Sequence, residues 1–355
     1  MKILVWQWGR RGAGPRVAME LARGLASVPG VDATLSLSTT AELLATPGAP
    51  QNDLPVYTYR TRPGFALRLL AAPLAIPRLT RRLRALRPDV ALCAMPAPLD
   101  LIMAAALRRA CIPFAIIVHD AELHPGDGIP LQMPLQRALI RRAPALIALS
   151  THVATKLAAQ GLVGHRLLLR TTLPPLSFGP TPPPLAHDGP LRLLSFGRLL
   201  PYKGLDLLAD ALAALGPDPR LETRIVGSGP PSADLDRLRA LPGVTVENRW
   251  VPEPELASLL AWSDALILPY REASQSGVAA AAIAARRWVI ATDVGGLAEQ
   301  LAAEPLARLC PPTAPALTTA LRNLLANTHP PTPDPQPTWH TTATRLATDL
   351  GALCR

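Results

Sequence analysis

The chain has 355 residues, more than one average domain, and 49% are apolar against only 4% aromatic, so two cores built from Leu, Ala, Val and Ile are expected. The net charge of +10 is uneven: residues 1–190 carry 21 Lys and Arg against 10 Asp and Glu, whereas residues 191–355 carry 15 against 16. Scarce aromatics and the lack of a nucleic-acid motif argue against nucleic acid as the partner of the basic half, leaving an anionic lipid surface or a phosphorylated substrate.

Residues 2–7 (KILVWQ) form an apolar run too short for a signal-peptide core, and they are expected to be a buried first strand. The loop Gly9-Arg10-Arg11-Gly12-Ala13-Gly14-Pro15 follows, with a helix opening at Pro15. Glycines let backbone amides approach a ligand, and a helix N-terminus favours anions, so Gly12 and Gly14 are candidate site residues; a tight turn is the bland alternative. Further strands are expected at 33–37, 89–93, 113–118 and 145–149, with helices at 15–28, 65–87, 98–110, 130–142 and 151–160. The segment 65–87 combines leucines with Arg68, Arg78, Arg81, Arg82, Arg84 and Arg87, a pattern suited either to an anionic membrane or to a packed helix with a solvated face. Pro73 and Pro77 interrupt it.

The strand at 113–118 leads into His119-Asp120-Ala121-Glu122-Leu123-His124-Pro125-Gly126-Asp127. A His beyond a strand's carboxyl end, beside acids and a second His, suits proton handling or sugar-hydroxyl binding, and a hydrogen-bonded loop His is the alternative. The four cysteines (Cys93, Cys111, Cys310 and Cys354) have no CxxC or Cys/His spacing, so neither a zinc site nor a disulfide framework is expected, and a reducing cytoplasm suits them. No run of 18 apolar residues is present, so no transmembrane helix is expected.

Residues 171–190 hold seven prolines and read as an interdomain linker. Strands are then expected at 191–196, 221–226, 243–247, 264–268 and 288–291, alternating with helices at 204–215, 231–240, 253–262, 276–286 and 296–303. A second proline-rich stretch, 330–337, precedes a last helical segment from Trp339. Apolar strands alternating with helices imply parallel sheets covered on both faces, hence an α/β protein of two doubly wound domains with the ligand in their shared cleft. The expected domains are 1–170, 191–338 and a C-terminal helix 339–355 packing back towards the first.

The sharpest signal is Ser195-Phe196-Gly197-Arg198-Leu199-Leu200-Pro201-Tyr202-Lys203-Gly204-Leu205-Asp206. Two cations at the top of a strand, beside a helix N-terminus, suit a diphosphate leaving group. This segment resembles the donor-phosphate loop of the family-4 retaining glycosyltransferases of the GT-B fold. Arg224-Ile225-Val226-Gly227-Ser228-Gly229-Pro230, Val251-Pro252, Asp264 to Tyr270, and Val289 to Glu299 resemble that family's later motifs in the same order, over about residues 190–303.

The resemblance implies that Arg198 and Lys203 bind the donor pyrophosphate, that Gly197, Gly227 and Gly229 line the donor, and that His119 approaches the donor sugar across the cleft. It implies a nucleotide-sugar co-substrate and no other cofactor, no metal, and an acceptor that is a lipid-linked or growing saccharide of the bacterial envelope. One departure stands out. The family's Glu-x7-Glu pair would fall on Ala273 and Ala281, neither acidic. The chain instead reads Ser274-Gln275-Ser276-Gly277-Val278, resembling a branch with a (T/S)QSGV loop, so the amides of Ser276, Gly277 and Val278 and the carboxylate of Glu272 become donor-site candidates. The alternatives are a non-catalytic partner subunit of this fold and, less favoured, a basic nucleic-acid-binding protein.

Overall fold

A computed structural model describes residues 1–126, 132–179, 188–326 and 338–354. The chain divides into two compact units, Met1–Glu122 with Ile129–Thr172 and Pro337–Arg355, and Leu123–Gly128 with Leu173–Gln336.

The first unit runs β1 (Lys2–Gln7), α1 (Ala13–Ala26), β2 (Asp32–Leu37), α2 (Arg62–Leu70), α3 (Ala72–Leu86), β3 (Val90–Cys93), α4 (Asp100–Ala110), β4 (Phe114–Val118), α5 (Gln132–Ile140), β5 (Ala145–Ala148), α6 (Thr151–Ala159) and β6 (Leu167–Arg170). Its six parallel strands lie in the order β2-β1-β3-β4-β5-β6. Strands β3, β4 and β5 are buried along their whole length, which is why they read as unbroken apolar runs rather than alternating ones. Trp6 and Phe114, from β1 and β4, meet edge to face at 6.0 Å between ring centroids inside this core.

Three sequence-based expectations change here. The helix expected at 65–87 is two helices meeting at Ala71, because Pro73 has no N–H for the carbonyl of Leu69. The helix after β1 opens at Ala13, not Pro15, which puts Gly14 in its first turn. Strand β6 was not expected: its side chains are half-buried to exposed at the sheet edge, so Leu167–Arg170 has no strand-like pattern. Residues 130 and 131 of the helix expected at 130–142 lie outside the described residues.

The second unit runs β7 (Leu191–Arg198), a 3-10 turn (Pro201–Lys203), α7 (Leu205–Leu215), β8 (Leu221–Ser228), α8 (Ala233–Arg239), β9 (Val244–Asn248), α9 (Glu253–Trp262), β10 (Ala265–Leu268), α10 (Gly277–Ala284), β11 (Trp288–Thr292), α11 (Gly295–Leu301), β12 (Ala307–Cys310) and α12 (Ala314–Ala326). Its sheet is also six-stranded and parallel, in the order β12-β11-β10-β7-β8-β9. Along β10, Ala265 and Ile267 enter one apolar cluster and Leu266 and Leu268 another, so both faces of the sheet are covered. Strand β12 and helix α12 have no clear sequence signal; β12 is a short edge strand, and α12 follows Pro311 and Pro312, which mask its start.

The last helix, α13 (Trp339–Gly351), belongs to the first unit and packs on α1. Ser27 Oγ lies 2.7 Å from His340 Nδ1. Contact is closest at Gly24, where an added Cβ would stand 2.7 Å from the carbonyl oxygen of Trp339 and 3.2 Å from the Ala343 Cβ. Gly24→Leu should therefore push α13 off α1 and lower stability by roughly 1–3 kcal/mol despite the better helix former. Thermal unfolding and protease cleavage within 338–354 measure this; an unchanged midpoint with no new cleavage would mean that α13 does not depend on the Gly24 contact.

Candidate active site

In an open parallel sheet the space for a ligand opens where successive connections leave in opposite directions. In the first unit that point lies between β1 and β3, since β2 is on one side of β1 and β3 on the other. The loop after β1 is built around Gln7, a buried side chain that sequence reasoning passes over. Its Oε1 accepts the Gly9 N–H at 2.9 Å. A Cβ on Gly14 would stand 2.7 Å from Gln7 Nε2 and 3.3 Å from Met95 Sδ in the loop after β3, so Gly14 is needed for packing. Gly12 caps α1 at φ +80, where a side chain would be strained although nothing lies within 4 Å of its Cβ position. Helix geometry leaves the first amides of α1 without intrahelical partners, and Pro15 contributes none.

The loop after β3 is braced by Asp100, fully buried at the start of α4. Its Oδ2 accepts from the Ala97 N–H at 2.7 Å and from the Cys93 thiol at 3.4 Å, while Oδ1 is buried without a hydrogen-bond partner among the described residues. Burial pushes this carboxyl from its ordinary 3.8 up to about 7, with the Ala97 amide and the Cys93 thiol pulling the other way. The Cys93 thiol is itself pushed up, by burial and then by Asp100, so it stays protonated.

His119 follows β4 and is buried, and burial holds its pKa below the ordinary value against the opposing pull of Asp120, which favours a neutral imidazole. Among the described residues its expected acidic neighbours do not form a metal-holding cluster. Glu122 is bound at 2.7 Å by Lys156, whose hydrogen bond and charge hold its carboxyl low, and at 3.1 Å by Gln160. His124 groups with the second unit. Asp127 lies outside the described residues. Among the described residues no three His, Cys, Asp or Glu side chains are arranged to hold a metal ion.

In the second unit the switch falls between β7 and β10, because the chain steps from β7 to β8 and β9 and then returns to the other side of β7. Arg198 ends β7 and Lys203 ends the 3-10 turn leading into α7. Buried Tyr202 sits among the charges: the Arg198 guanidinium is 6.0 Å and Lys203 Nζ 4.9 Å from its ring centroid. Lys203 Nζ also lies 3.6 Å from the centroid of Tyr270, just beyond β10, so the ammonium is held over an aromatic face. The turn is tied to the loop after β10 twice, by the Arg271 N–H to the Tyr202 carbonyl at 2.8 Å and by an ion pair of the Arg271 guanidinium with Asp206 in the first turn of α7. Arg271 in turn holds the Asp206 carboxyl below its usual range.

The candidate glycines around this point have a packing role. Gly197 and Gly227 are paired in register, and a Cβ on Gly227 would stand 1.8 Å from the Gly197 carbonyl oxygen; one on Gly229 would stand 2.0 Å from that of Leu199. Glu272 meets His124, Oε1 to Nδ1 at 2.9 Å, and the His124 ring stacks on Tyr202 at 4.5 Å between centroids. Ser276 caps α10, its side chain accepting from the Ala279 N–H at 3.2 Å. The expectation of three amides at this helix start is corrected: the Ser276 N–H donates to Gln300 Oε1 at 2.8 Å, and Gln300 Nε2 returns a bond to the Ser276 carbonyl at 3.0 Å. Gly277 and Val278 keep amides without intrahelical partners. Ala273 and Ala281 are both buried in the apolar cluster, so carboxylates at these two positions would meet apolar neighbours here.

Two Rossmann-like units of this kind define the GT-B class of α/β protein. Residues 14–167 match Glycosyltransferase Family 4, and residues 190–327 match Glycosyl transferases group 1. Each of these two parts of the chain is thus similar to a glycosyltransferase family, and neither match by itself spans half of the chain. Among curated relatives, D-inositol 3-phosphate glycosyltransferase of Jonesia denitrificans is 37% identical over 138 residues, 36% of this chain and 32% of that one. GDP-mannose:glycolipid 4-beta-D-mannosyltransferase of Xanthomonas campestris pv. campestris is 34% identical over 108 residues, 29% of this chain and 30% of that one. These matches thus span about a third of each relative's length. The Anabaena protein HepE, solved in complex with UDP and glucose, shares the fold with a TM-score of 0.66 at 19% identity, covering 98% of this chain and 95% of that one.

The buried carboxyl gives a pH test. A carboxyl whose native pKa lies above its unfolded value takes up its proton first in the folded state. Stability from Asp100 therefore grows as pH falls from about 7 towards 3.8 and is missing above 7, by up to about 4 kcal/mol. Asp100→Asn should remove this slope, so that the difference in Tm between variant and parent shifts in the variant's favour as pH rises from 5 to 8, roughly across the titration. Parallel Tm curves would show that Asp100 stays ionised throughout.

Proposed function

We propose that the chain transfers a sugar from a nucleotide-sugar donor to a lipid-linked or polysaccharide acceptor, with retention at the anomeric carbon. The observation carrying this is the pair of cations at the β7–β10 switch, Arg198 at the end of β7 and Lys203 on the turn before α7, held around Tyr202 and Tyr270. Negative charge grows on a nucleoside diphosphate as it leaves the sugar, and fixed cations that are already in place stabilise that charge without reorganising. The amides of Gly277 and Val278 at the start of α10 add donors for phosphate or sugar oxygens. His119, kept neutral by burial, can donate to or accept from a sugar hydroxyl. Glu272 then acts through His124 and the Tyr202 stack, positioning the turn that carries Lys203. The loop with Gly12 and Gly14 is assigned to the acceptor.

The donor class draws support from HepE, solved with UDP and glucose, and from GDP-mannose in the name of the Xanthomonas relative. The glycolipid in that relative's name supports a lipid-linked acceptor in envelope or exopolysaccharide synthesis. No described helix is long and apolar enough to cross a membrane. The reading places the reaction in the cytoplasm, with a lipid-linked acceptor met at the inner face of the membrane. Buried alanines at 273 and 281 are what a non-catalytic partner subunit would also show; the cation pair favours an active enzyme.

Arg198→Ala and Lys203→Ala should each raise the barrier by about 2–4 kcal/mol, lowering kcat/KM roughly 30- to 1000-fold, with the fold intact by circular dichroism. Normal turnover in both variants would remove the diphosphate role. With charge neutralisation assigned to these two side chains, transfer should survive EDTA; loss in chelator with recovery in Mg²⁺ or Mn²⁺ would place a metal in the reaction.

A further inference from the structure

We infer that the corner formed by α2 and α3 is a docking face for an anionic lipid bilayer, inserting Leu67, Leu70 and Leu74 between headgroups while a belt of arginines binds their phosphates. No residue of α2 is buried. Leu67, Leu70 and Leu74 are 66%, 79% and 67% exposed, which is unusual for three neighbouring leucines on a well-packed unit. Helical hydrogen bonds cross the junction, from the Ala71 N–H to Leu67 and from the Ala75 N–H to Ala71, so steps of three and four residues carry one exposed stripe from Leu67 through Leu70 and Leu74 to Arg78 and Arg81. The inner side is anchored by Phe65, whose ring meets Tyr59 at 5.1 Å, and by Leu79 and Leu83 in the core.

The charge around this stripe is of one sign. Between Asp53 and Asp89 the chain has eight arginines and no acidic residue. Arg60, Arg62, Arg78, Arg81, Arg82, Arg84 and Arg87 are all exposed. Arg68 lies over the ring of exposed Tyr57, 4.6 Å from its centroid, an aromatic–cation pair suited to the headgroup layer. A nucleic acid would use the arginines but leave the leucines in water. A bilayer of anionic lipid takes both, which decides between the two polyanions. Transfer chemistry is not needed for this inference, and its test contains no donor or acceptor, so it stands or falls separately from the proposed reaction.

The full chain would be sedimented with vesicles of phosphatidylcholine mixed with phosphatidylglycerol, and with vesicles of phosphatidylcholine alone, at low and high salt. Preferential binding to the mixed vesicles, weakened by salt, is expected. The exposed triple variant Leu67→Ser/Leu70→Ser/Leu74→Ser should bind the mixed vesicles on the order of a hundredfold more weakly while keeping the parent's Tm. Arg78→Gln/Arg81→Gln should lose roughly fivefold per arginine at low salt and less at high salt. Equal binding to both vesicle types, no binding by the parent, or full binding by the serine variant would each overturn the inference. So would competition by duplex DNA that leaves the serine variant indistinguishable from the parent, which would make the belt a nucleic-acid surface.

Discussion

Both sheets are parallel and covered on both faces, and this leaves polar function nowhere to sit except beyond the ends of the strands. Within each unit the strand order then selects one gap, between β1 and β3 in the first and between β7 and β10 in the second. Several functional candidates of the second unit lie at or on the two loops leaving that gap, whereas Gly227 and Gly229 lie at the end of β8. Arg198, Tyr202 and Lys203 come from the one after β7, and Tyr270, Arg271, Glu272 and Ser276 from the one after β10. Local pairings then fix these loops: Arg271 clamps Asp206 and the Tyr202 carbonyl, and Gln300 holds both backbone groups of Ser276. The two cations thus sit between loops that are tied to each other and to neighbouring helices, the kind of support that the proposed stabilisation of a leaving group would use.

Much of the fold is legible in the sequence because the same burial that confines function makes central strands uniformly apolar. β3, β4, β5, β10 and β11 are visible for this reason. β6 and β12 are not, since edge strands are half-solvated and lose that pattern. Of the two prolines expected to interrupt the 65–87 segment, Pro73 marks the split between α2 and α3, whereas Pro77 is accommodated inside α3.

The candidate site is legible to a lesser degree. Charged loop residues such as Arg198 and Lys203 declare themselves, but the partners that hold them do not. Gln7 and Asp100 are single polar residues beside apolar neighbours and Gln300 reads as an ordinary helix residue after Glu299, and only the structure shows Gln7 seated by two glycines or Gln300 bonded to the Ser276 backbone. Glu272 reads in sequence as a ligand-binding acid; its carboxylate meets His124 from 148 residues away, a pairing that no local pattern encodes. Gly227 and Gly229 read as ligand-facing glycines, yet backbone carbonyls already occupy the space their side chains would fill.

The basic half and the apolar corner on α2 and α3 belong to the first unit, whereas the cation pair belongs to the second, whose part of the sequence is nearly neutral. Surface attraction and donor binding are therefore separable by mutation. The central claim, that Arg198 and Lys203 hold a nucleoside diphosphate, is tested most directly by thermal shift with UDP, GDP, ADP and dTDP against the parent and an Arg198→Met/Lys203→Met variant. Ligand binding raises apparent stability by about 2.7 kcal/mol at a hundred times Kd, which is well within reach of such an assay. The account predicts that at least one diphosphate raises the parent's Tm and that the double variant loses this rise. No rise with any diphosphate, or the same rise in both proteins, would contradict it.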